Sequence, residues 1–525
     1  MSQVQPDDST GGTGPATDDA PTRHLEVERK YKVHGLFRLP PLGELPDVET
    51  VRALPPMELL AVYYDTEDLR LARSGITLRR REGGVDDGWH LKLPENEPGV
   101  RTEHRVPLQA GASIPDPLRE LATAWCRSAA LQPVATLRTE RRAYELLSGG
   151  NDLLAELTDD TVSVLDGDHV AARFREVEVE ITEKVASETL DDLDARLRQA
   201  GAIQGAFASK VSRALGPASG AAPDVPDVPA AGPQDPAGDA VQAYLATQVR
   251  ALLRQDPRVR LGLDDAVHQM RVAARRMRSG IKVFAPLLDA DWSDPLREEL
   301  AWLAGALGAA RDREVLEARL LRDLQRLPEH AEADEASAVV VAALEAGMAD
   351  AHAQALVALR SPRYLALLDT LVRAANDPPL TQVSTAPARD VLPPLVAKAW
   401  TRLAKDVRRL GLHSADEPWH ETRIAAKRVR YAAEAVAPTL GVDAARFAKR
   451  MESLTELLGE HQDAAVAAAE VHALAHRPHV SGSAGFALGE LYGLQRDACA
   501  EVRRRFLKRW PQVAHSRHRR WLGAQ

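Results

Sequence analysis

Near the start of the chain, carboxylates and a lysine recur two residues apart. In Glu26-Val27-Glu28-Arg29-Lys30 the two glutamates and the lysine fall on one face of an extended strand, because side chains alternate from face to face. The spacing returns further on. Arg79 and Arg81 share a face, as do His90 and Lys92, then Arg101, Glu103 and Arg105, and later Glu176, Glu178 and Glu180. One strand of this kind would simply turn its charges to water. Several in one region read differently, because a sheet curled into a barrel with these faces inward would gather both signs of charge in its lumen. Buried charges are tolerated when they are paired, bound to metal or met by a charged ligand. A lumen of cations suits a polyanion such as triphosphate, and facing carboxylates suit a hard divalent metal that prefers oxygen ligands. Positioned cations and a metal are what phosphoryl transfer requires, since charge developing on the phosphate oxygens must be stabilised.

A second constellation is duplicated. VHQMRVAARRMRSGIKVF (267–284) matches WHETRIAAKRVRYAAEAV (419–436), pairing His268 with His420, Arg271 with Arg423, Arg275 with Lys427, Arg276 with Arg428 and Arg278 with Arg430. Downstream, LGAARDREV (307–315) matches LGEHQDAAV (458–466) and aligns Asp312 with Asp463. Residues His268, Arg271, Arg275 and Arg278 lie at i, i+3, i+7 and i+10, one face of a helix, while Val267, Met270, Ala274 and Met277 form a separate apolar stripe. Like charges on successive turns destabilise a helix slightly. A cost repeated in both copies points to an anionic partner. A His–Asp metal site is the weaker reading, and the two aspartates are expected to orient neighbouring Arg or His side chains. The stretch 502–520 adds eight Arg or Lys and no acid, as an extension of an anion-binding surface or as a frayed basic tail.

The elements that must hold these residues differ along the chain. HLEVERKYKV (24–33), ITLRRRE (76–82), WHLKL (89–93), RTEHRVPL (101–108), ATLRTERRAYEL (135–146) and RFREVEVEI (173–181) alternate with period two and read as strands, with a helix over 187–200. From Ala214 to Asp239 there are six prolines and four aspartates but no Lys or Arg, the composition of a semi-stiff linker. Beyond it the apolar spacing is helical, with a Pro-rich break at 377–394. Residues 1–22 hold four Asp and almost nothing to bury, as a disordered tail would. The expected plan is a tail (1–22), a strand-rich domain (23–215), a linker (216–239) and a helical domain (240–515) with repeats at about 240–376 and 393–515.

Charge follows the same division. The chain of 525 residues carries −9, but residues 1–239 hold 26 basic and 41 acidic groups and residues 240–525 hold 41 and 35, so −15 is set against +6. The sum argues against polyanion ligands and its distribution does not. Aromatics at 4% leave little for base stacking and argue against specific nucleic-acid recognition. Two cysteines allow neither a disulfide framework nor a four-cysteine zinc site, and they fit a reducing cytoplasm. No apolar run reaches the length of about 20 residues needed to cross a bilayer, so no membrane partner is expected.

Glu26-x-Glu28-x-Lys30 at the head of a strand-rich domain resembles the ExExK motif of the CYTH family, the triphosphate tunnel metalloenzymes. Tyr64-Asp65-Thr66, Arg79 with Arg81, Lys92, Arg101 with Glu103, Arg138 with Arg141 or Arg142, Glu176/Glu178/Glu180 and Ser209-Lys210 follow in the family's order. The resemblance spans about residues 23–215 and implies an antiparallel eight-stranded β-barrel tunnel of α+β class. It implies that Lys30, Arg79, Arg81, Lys92, Arg138 and Lys210 grip phosphates. It further implies that Glu26, Glu28, Glu178 and Glu180 hold Mg2+ or Mn2+ and help place the attacking water, with Glu26, Glu28 and Lys30 as the catalytic set. The acidic strand LLAELTDDTV (153–162) should add a carboxylate, either Asp159 or the Glu156/Asp160 face; strand parity leaves this open, with Asp159 expected as the metal ligand. Parity leaves Arg141 against Arg142 open as well.

The helical half resembles the CHAD domain over about residues 240–515, through its paired HxxR…R motifs. That resemblance implies an all-α domain of two duplicated four-helix bundles with a basic, pore-like surface for inorganic polyphosphate. His268, Arg271, Arg275 and Arg278 in one copy and His420, Arg423, Lys427 and Arg430 in the other would bind it. His461 stands where the first copy has Ala310, so the two surfaces need not be equivalent. The expected function is metal-dependent hydrolysis of inorganic triphosphate or a related triphosphate in a cytoplasmic, granule-associated protein. The alternative is a polyphosphate-binding scaffold with an idle tunnel.

Overall fold

A computed structural model describes residues 21–95, 99–108, 113–182, 185–205, 209–327, 331–478 and 480–523. The chain divides into two compact units between Asp224 and Val225. Among the described residues the first unit holds ten strands: β1 Thr22–Val33, β2 Thr50–Ala53, β3 Met57–Asp65, β4 Thr77–Glu82, β5 Gly88–Pro94, β6 Val100–Pro107, β7 Gln132–Leu147, β8 Leu153–Asp166, β9 His169–Ile181 and β10 Ile203–Gln204. Its helices are α1 Arg70–Arg73, α2 Asp116–Cys126, α3 Ser187–Gln199 and α4 Lys210–Leu215. Eight strands close an antiparallel barrel in the order β1-β6-β5-β4-β3-β7-β8-β9, and β9 pairs back onto β1. β2 adds to β7 outside this ring and β10 to β1. Thr22, assigned to the tail, already pairs with Arg105 in β1; the remaining tail residues 1–20 lie outside the described residues.

The barrel is inside-out relative to a soluble sheet. On β1, Glu26 is buried while its outward neighbour Leu25 is 58% exposed. The far part of the outer surface is covered: Tyr31 and Val33 pack with Leu157, Val177 and Val179 beneath Leu193 and Leu197 of α3. One end of the lumen is plugged by Ala61, Tyr63, Leu137 and Val162 with Val211 of α4. Ser209 starts α4 by accepting a hydrogen bond from the Ser212 amide at 3.3 Å, which sets Lys210 at the plugged end.

The proline-rich segment is pinned on each side of the division. Asp224 is held by Arg73 and Arg127 in the first unit, and Arg250 binds Asp227 in the second. The second unit is helical: α5 Ala237–Arg260, α6 Ala266–Val283, α7 Ala290–Ala306, α8 Gly308–Leu324, α9 Ala331–Leu359, α10 Pro362–Asn376, α11 Ala388–Val407, α12 Asp416–Leu440, α13 Val442–Ala475 and α14 Gly482–Val513. The second repeat is the expected four helices, α11–α14. The first has six among the described residues, because Leu307 separates α7 from α8 where α13 runs unbroken, and because α10 is an addition started by the Ser361 cap and Pro362. Equivalent helices meet across the duplication: α5 on α11, α6 on α12, α8 on α13 and α9 on α14. Leu316, Leu320, Val340, Val471, Leu488 and Leu491 of both repeats share one core. No helix among the described residues is long and apolar enough to cross a membrane.

Candidate functional site

The barrel encloses a cavity of about 330 Å3 lined from all eight of its strands, the lip before β3, the β4–β5 loop and α4. Glu26, Glu28 and Lys30 of β1, Arg79 and Arg81 of β4, Lys92 of β5, Glu178 and Glu180 of β9 and Lys210 all reach it. The alternation read from each strand therefore brings these predicted residues into one space. Arg101, Glu103 and Arg105 of β6 join them, as do Arg141, Glu156 and Asp86.

Two predicted residues lie on the other side of the wall. Arg138 has the opposite parity to Arg141 with no irregularity between them, and it stands in register with Leu60 and Ser163 on the outer face. Arg141 is the residue that lines the cavity; it donates to Asp160 at 2.9 and 2.7 Å. Asp159 also points outward, held by Arg175 at 2.7 and 2.6 Å, so the Glu156/Asp160 face is the inner one. The expectations for Arg138 and Asp159 are corrected accordingly.

Within the lumen the charges form two groups. In the deeper one Lys210 meets Glu176 at 2.9 Å, Asp160 at 3.2 Å and Glu178, while Lys30 meets Glu178 at 2.7 Å and Glu28 at 3.2 Å. Burial alone would raise Glu178, yet Lys210, Lys30 and Arg141 outweigh it and hold its carboxyl well below the usual range. A carboxylate so encircled by cations is poorly placed to give its oxygens to a metal as well. The second group surrounds Glu103, which is 0% exposed: His90 lies at 3.0 Å, Arg79 and Lys92 at 3.6 Å, and Arg105 bonds to it. Burial and the nearby Arg79 and Arg81 drive His90 down to about 4 against the opposing pull of Glu103, so the ring is neutral. Arg81 falls to about 9 through burial and the crowding of Arg79 and Arg141, with Asp86 of the β4–β5 loop as its ion-pair partner.

Glu26 and Glu180 behave in the opposite way. Burial raises both; Lys92 opposes the shift, but Glu103 adds to it in each case, with Glu180 beside Glu26 and Glu156 beside Glu180. These carboxylates repel one another and lack enough cations, which is the state a hard divalent ion relieves. No three His, Cys, Asp or Glu among the described residues stand as a ready-made metal cage. A magnesium-like ion takes only one or two carboxylates and completes its shell with water and substrate phosphates, so one or two drawn from Glu26, Glu28 and Glu180, all oxygen donors, would suffice for such an ion.

In the second unit the two matched segments become α6 and α12, packed against each other. Arg275, Arg297 and Arg428 crowd Arg278, which is buried enough that its guanidinium drops below the ordinary range. Lys282 is lowered first by Arg428, then by burial, Arg297, Arg278 and Arg402. Lys427 is pushed down to about 7 by burial and by Arg423, Arg275 and Arg271, with Asp463 alone among its strong neighbours opposing. His420 bonds Gln462 at 2.6 Å and Arg271 reaches the Gly308 carbonyl at 3.4 Å, while His268 sits half-buried in the first turn of α6. The Asp312 side chain lies outside the described residues.

Arg430 departs from its sequence equivalent. It donates to Glu434 at 2.6 Å and Thr455 at 3.2 Å and pairs with Glu452, whereas Arg428 faces the cationic cluster. In the first repeat it is Arg276 that takes an acid, Glu434, at 3.3 Å, leaving Arg278 to the cluster. Arg428 therefore stands in the cationic cluster where Arg430 was expected; Lys282 was not anticipated because its counterpart in the second copy is Glu434, and Arg297 and Arg402 because α7 and α11 carry no copy of the motif. His461 belongs to the core, stacked on Trp419 at 5.3 Å and accepting from Arg503 at 3.0 Å. The basic segment 502–520 is folded. Arg503 is buried against the carbonyls of Leu412 and Ser414, and Arg519 lies over Trp400 at 4.8 Å.

Comparison with known proteins matches residues 24–215 to the CYTH domain and residues 243–472 to the CHAD domain. The uncharacterized protein Rv2226 of Mycobacterium tuberculosis H37Rv is 35% identical over 517 residues, which is 93% of this chain and 96% of that protein. Among solved structures, PptA from Streptomyces chartreusis is 32% identical, covering 52% of this chain and 99% of its own, with a TM-score of 0.47. The CHAD domain from Ricinus communis is 27% identical over 57% of this chain and 95% of its own, with a TM-score of 0.42.

Proposed function

The chain belongs to the CYTH family of metal-dependent triphosphate-tunnel enzymes and carries a CHAD domain later in its sequence, and from this premise we propose that it hydrolyses a triphosphate while its helical unit binds inorganic polyphosphate. The observation that carries the reading is the shared lumen, where Arg79, Arg81, Lys92, Arg141 and Lys210 stand with Glu26, Glu28 and Glu180 around one cavity. The cations bind phosphate oxygens and hold the chain of phosphates in line. Glu26, Glu28 and Glu180 would hold Mg2+ or Mn2+, which when bound withdraws charge from the phosphate oxygens. Lys30 pairs with Glu28 and Glu178 and keeps both placed. Water attacks the terminal phosphorus, the bond to the bridging oxygen breaks with its electron pair leaving on that oxygen, and one proton passes to solvent. Inorganic triphosphate is the least demanding substrate of this cage.

Polyphosphate binding rests on the crowded cations of α6 and α12, whose mutual repulsion an anionic chain relieves. The other reading is a polyphosphate-binding scaffold with an idle tunnel, favoured by the lack of a ready-made metal cage among the described residues. Phosphate release from inorganic triphosphate with Mg2+ or Mn2+ separates the two. Turnover that collapses in Glu26→Ala/Glu28→Ala supports the enzyme; equally slow release from both proteins leaves the scaffold.

A further inference from the structure

Most acids that face the tunnel cations stand on the barrel strands themselves. Asp86 does not: it lines the same cavity from the β4–β5 loop and is the ion-pair partner of Arg81. It also lies 3.9 Å from Arg105. The stretch Gly83-Gly84-Val85-Asp86-Asp87 that carries it is pinned where it leaves β4 and where it enters β5. A Cβ at Gly83 (φ +96°) would stand 2.1 Å from the Glu58 carbonyl oxygen, and one at Gly88 would stand 2.7 Å from the Val106 carbonyl oxygen. Only glycine lets the backbone run so close to β3 and β6. Between these points the Gly84 amide donates to the Asp87 carboxylate at 2.7 Å, which closes the turn. Val85 is 100% exposed, so releasing the turn uncovers no apolar side chain of its own. The Asp86 carboxylate ties the turn to the cavity wall.

That tie leaves Arg81 only partly satisfied. The guanidinium is buried and crowded by Arg79 and Arg141, yet its Nε has no hydrogen-bond acceptor among the described residues. One carboxylate in this position leaves that N–H unmet. A phosphate group, with three terminal oxygens, can take a guanidinium at two nitrogens at once. An entering phosphate therefore has more to offer Arg81 than Asp86 does, and the exchange runs in its favour. We infer that Asp86 is a built-in competitor of the substrate: its carboxylate occupies Arg81 and yields that guanidinium when a phosphate enters, so the β4–β5 turn sets the affinity of the tunnel. This rests on the triphosphatase reading and assigns a further residue to the same site. Asp86 opposes binding without taking part in bond breaking, so its removal changes affinity and leaves the chemical step alone.

The test is steady-state hydrolysis of inorganic triphosphate with Mg2+ by the full chain, in the wild type, Asp86→Asn and Glu82→Gln. Glu82 pairs with Arg80 and does not line the cavity, so its variant removes a nearby negative charge without touching the tunnel. Asp86→Asn should lower KM about tenfold and keep kcat within about twofold, the scale of a bond to a charged group that acts on binding alone. Glu82→Gln should leave both within about twofold. A KM that Asp86→Asn leaves unmoved or raises overturns the inference. So does a loss of kcat by about tenfold, which would make Asp86 a support for Arg81 in the chemical step. An equal fall of KM in Glu82→Gln also overturns it, because net charge and not Asp86 would then set the affinity. No release by any of the three proteins sinks the triphosphatase reading instead. Calorimetry with inorganic triphosphate then still decides about Asp86: a Kd about tenfold tighter in Asp86→Asn upholds the competitor, and an equal or weaker one overturns it. Asn keeps the size of the Asp86 side chain, which is 28% exposed, so the exchange spares the fold.

Discussion

The tunnel and the α6–α12 cluster both concentrate Lys and Arg, yet their electrostatic states are opposite. In the tunnel, carboxylates interleave with the cations, so that Lys30 and Lys210 are held above the ordinary lysine range despite burial. In the helical cluster cations face cations, and Lys427, Arg278 and Lys282 all fall. The difference follows from backbone geometry. Strand alternation lets each barrel strand contribute acids and bases to one face, and eight strands mix them at short range. A duplicated helix that packs on its own copy instead brings like against like. The tunnel is largely neutralised before any ligand arrives, and what remains unbalanced there is a pocket of carboxylates. The helical cluster keeps its like charges unrelieved.

Exchanging one lysine in each region should break this comparison most visibly. Lys210→Met leaves Glu176, Glu178 and Asp160 with too few cations in a buried site and should destabilise the first unit by about 3–5 kcal/mol, read by denaturant unfolding at neutral pH. Lys427→Met removes a repelled, partly buried amine and should leave stability unchanged or raise it. If both exchanges cost the same, the contrast is wrong.

Next in size is the face of β7. Arg141→Ala should lower phosphate release by about 100-fold, the scale of losing one preorganised donor at a transferring phosphoryl group. Arg138→Ala should change it by less than about twofold. The assay is turnover at saturating metal, and the reverse ranking would return the site to the outer parity.

The duplicated arginines come third. Arg428→Ala should weaken polyphosphate binding about tenfold and reduce the slope of log K against log salt by about 1, as expected for one lost phosphate contact. Arg430→Ala should leave both nearly unchanged and instead loosen the fold through the loss of Glu434 and Glu452.

The smallest effect is in pH dependence. Lys427 is lowered in the free protein and a bound polyanion would raise it, so binding takes up protons. Affinity should then fall as pH rises through about 7 and level off below that value, where the amine is protonated with or without ligand. Lys427→Met should flatten this limb, measured as Kd between pH 6 and pH 9 at constant ionic strength.

Periodicity alone determined much of this protein. The face shared by Glu26, Glu28 and Lys30, the pairs on β4 and β5 and the duplicated basic helices all follow from spacings of two or of three to four residues, while composition marked the proline-rich division. Such spacings report which side chains travel together on an element. They do not report which way the shared face turns when both sides of the element are buried. β8 is such a strand: Leu157 packs outward under α3 and Val162 packs into the plug, so no contrast between polar and apolar faces tells Asp159 from Asp160. On β7 the inward face mixes apolar Leu137 with Arg141, which hides the parity that separates Arg141 from Arg138. Arg428 and Arg430 are alike in sequence, and only packing gives Arg430 two glutamates and leaves Arg428 among cations. Periodicity is local to one element, whereas the partner that gives a charge its role comes from another, and only the tertiary fold decides which partner that is.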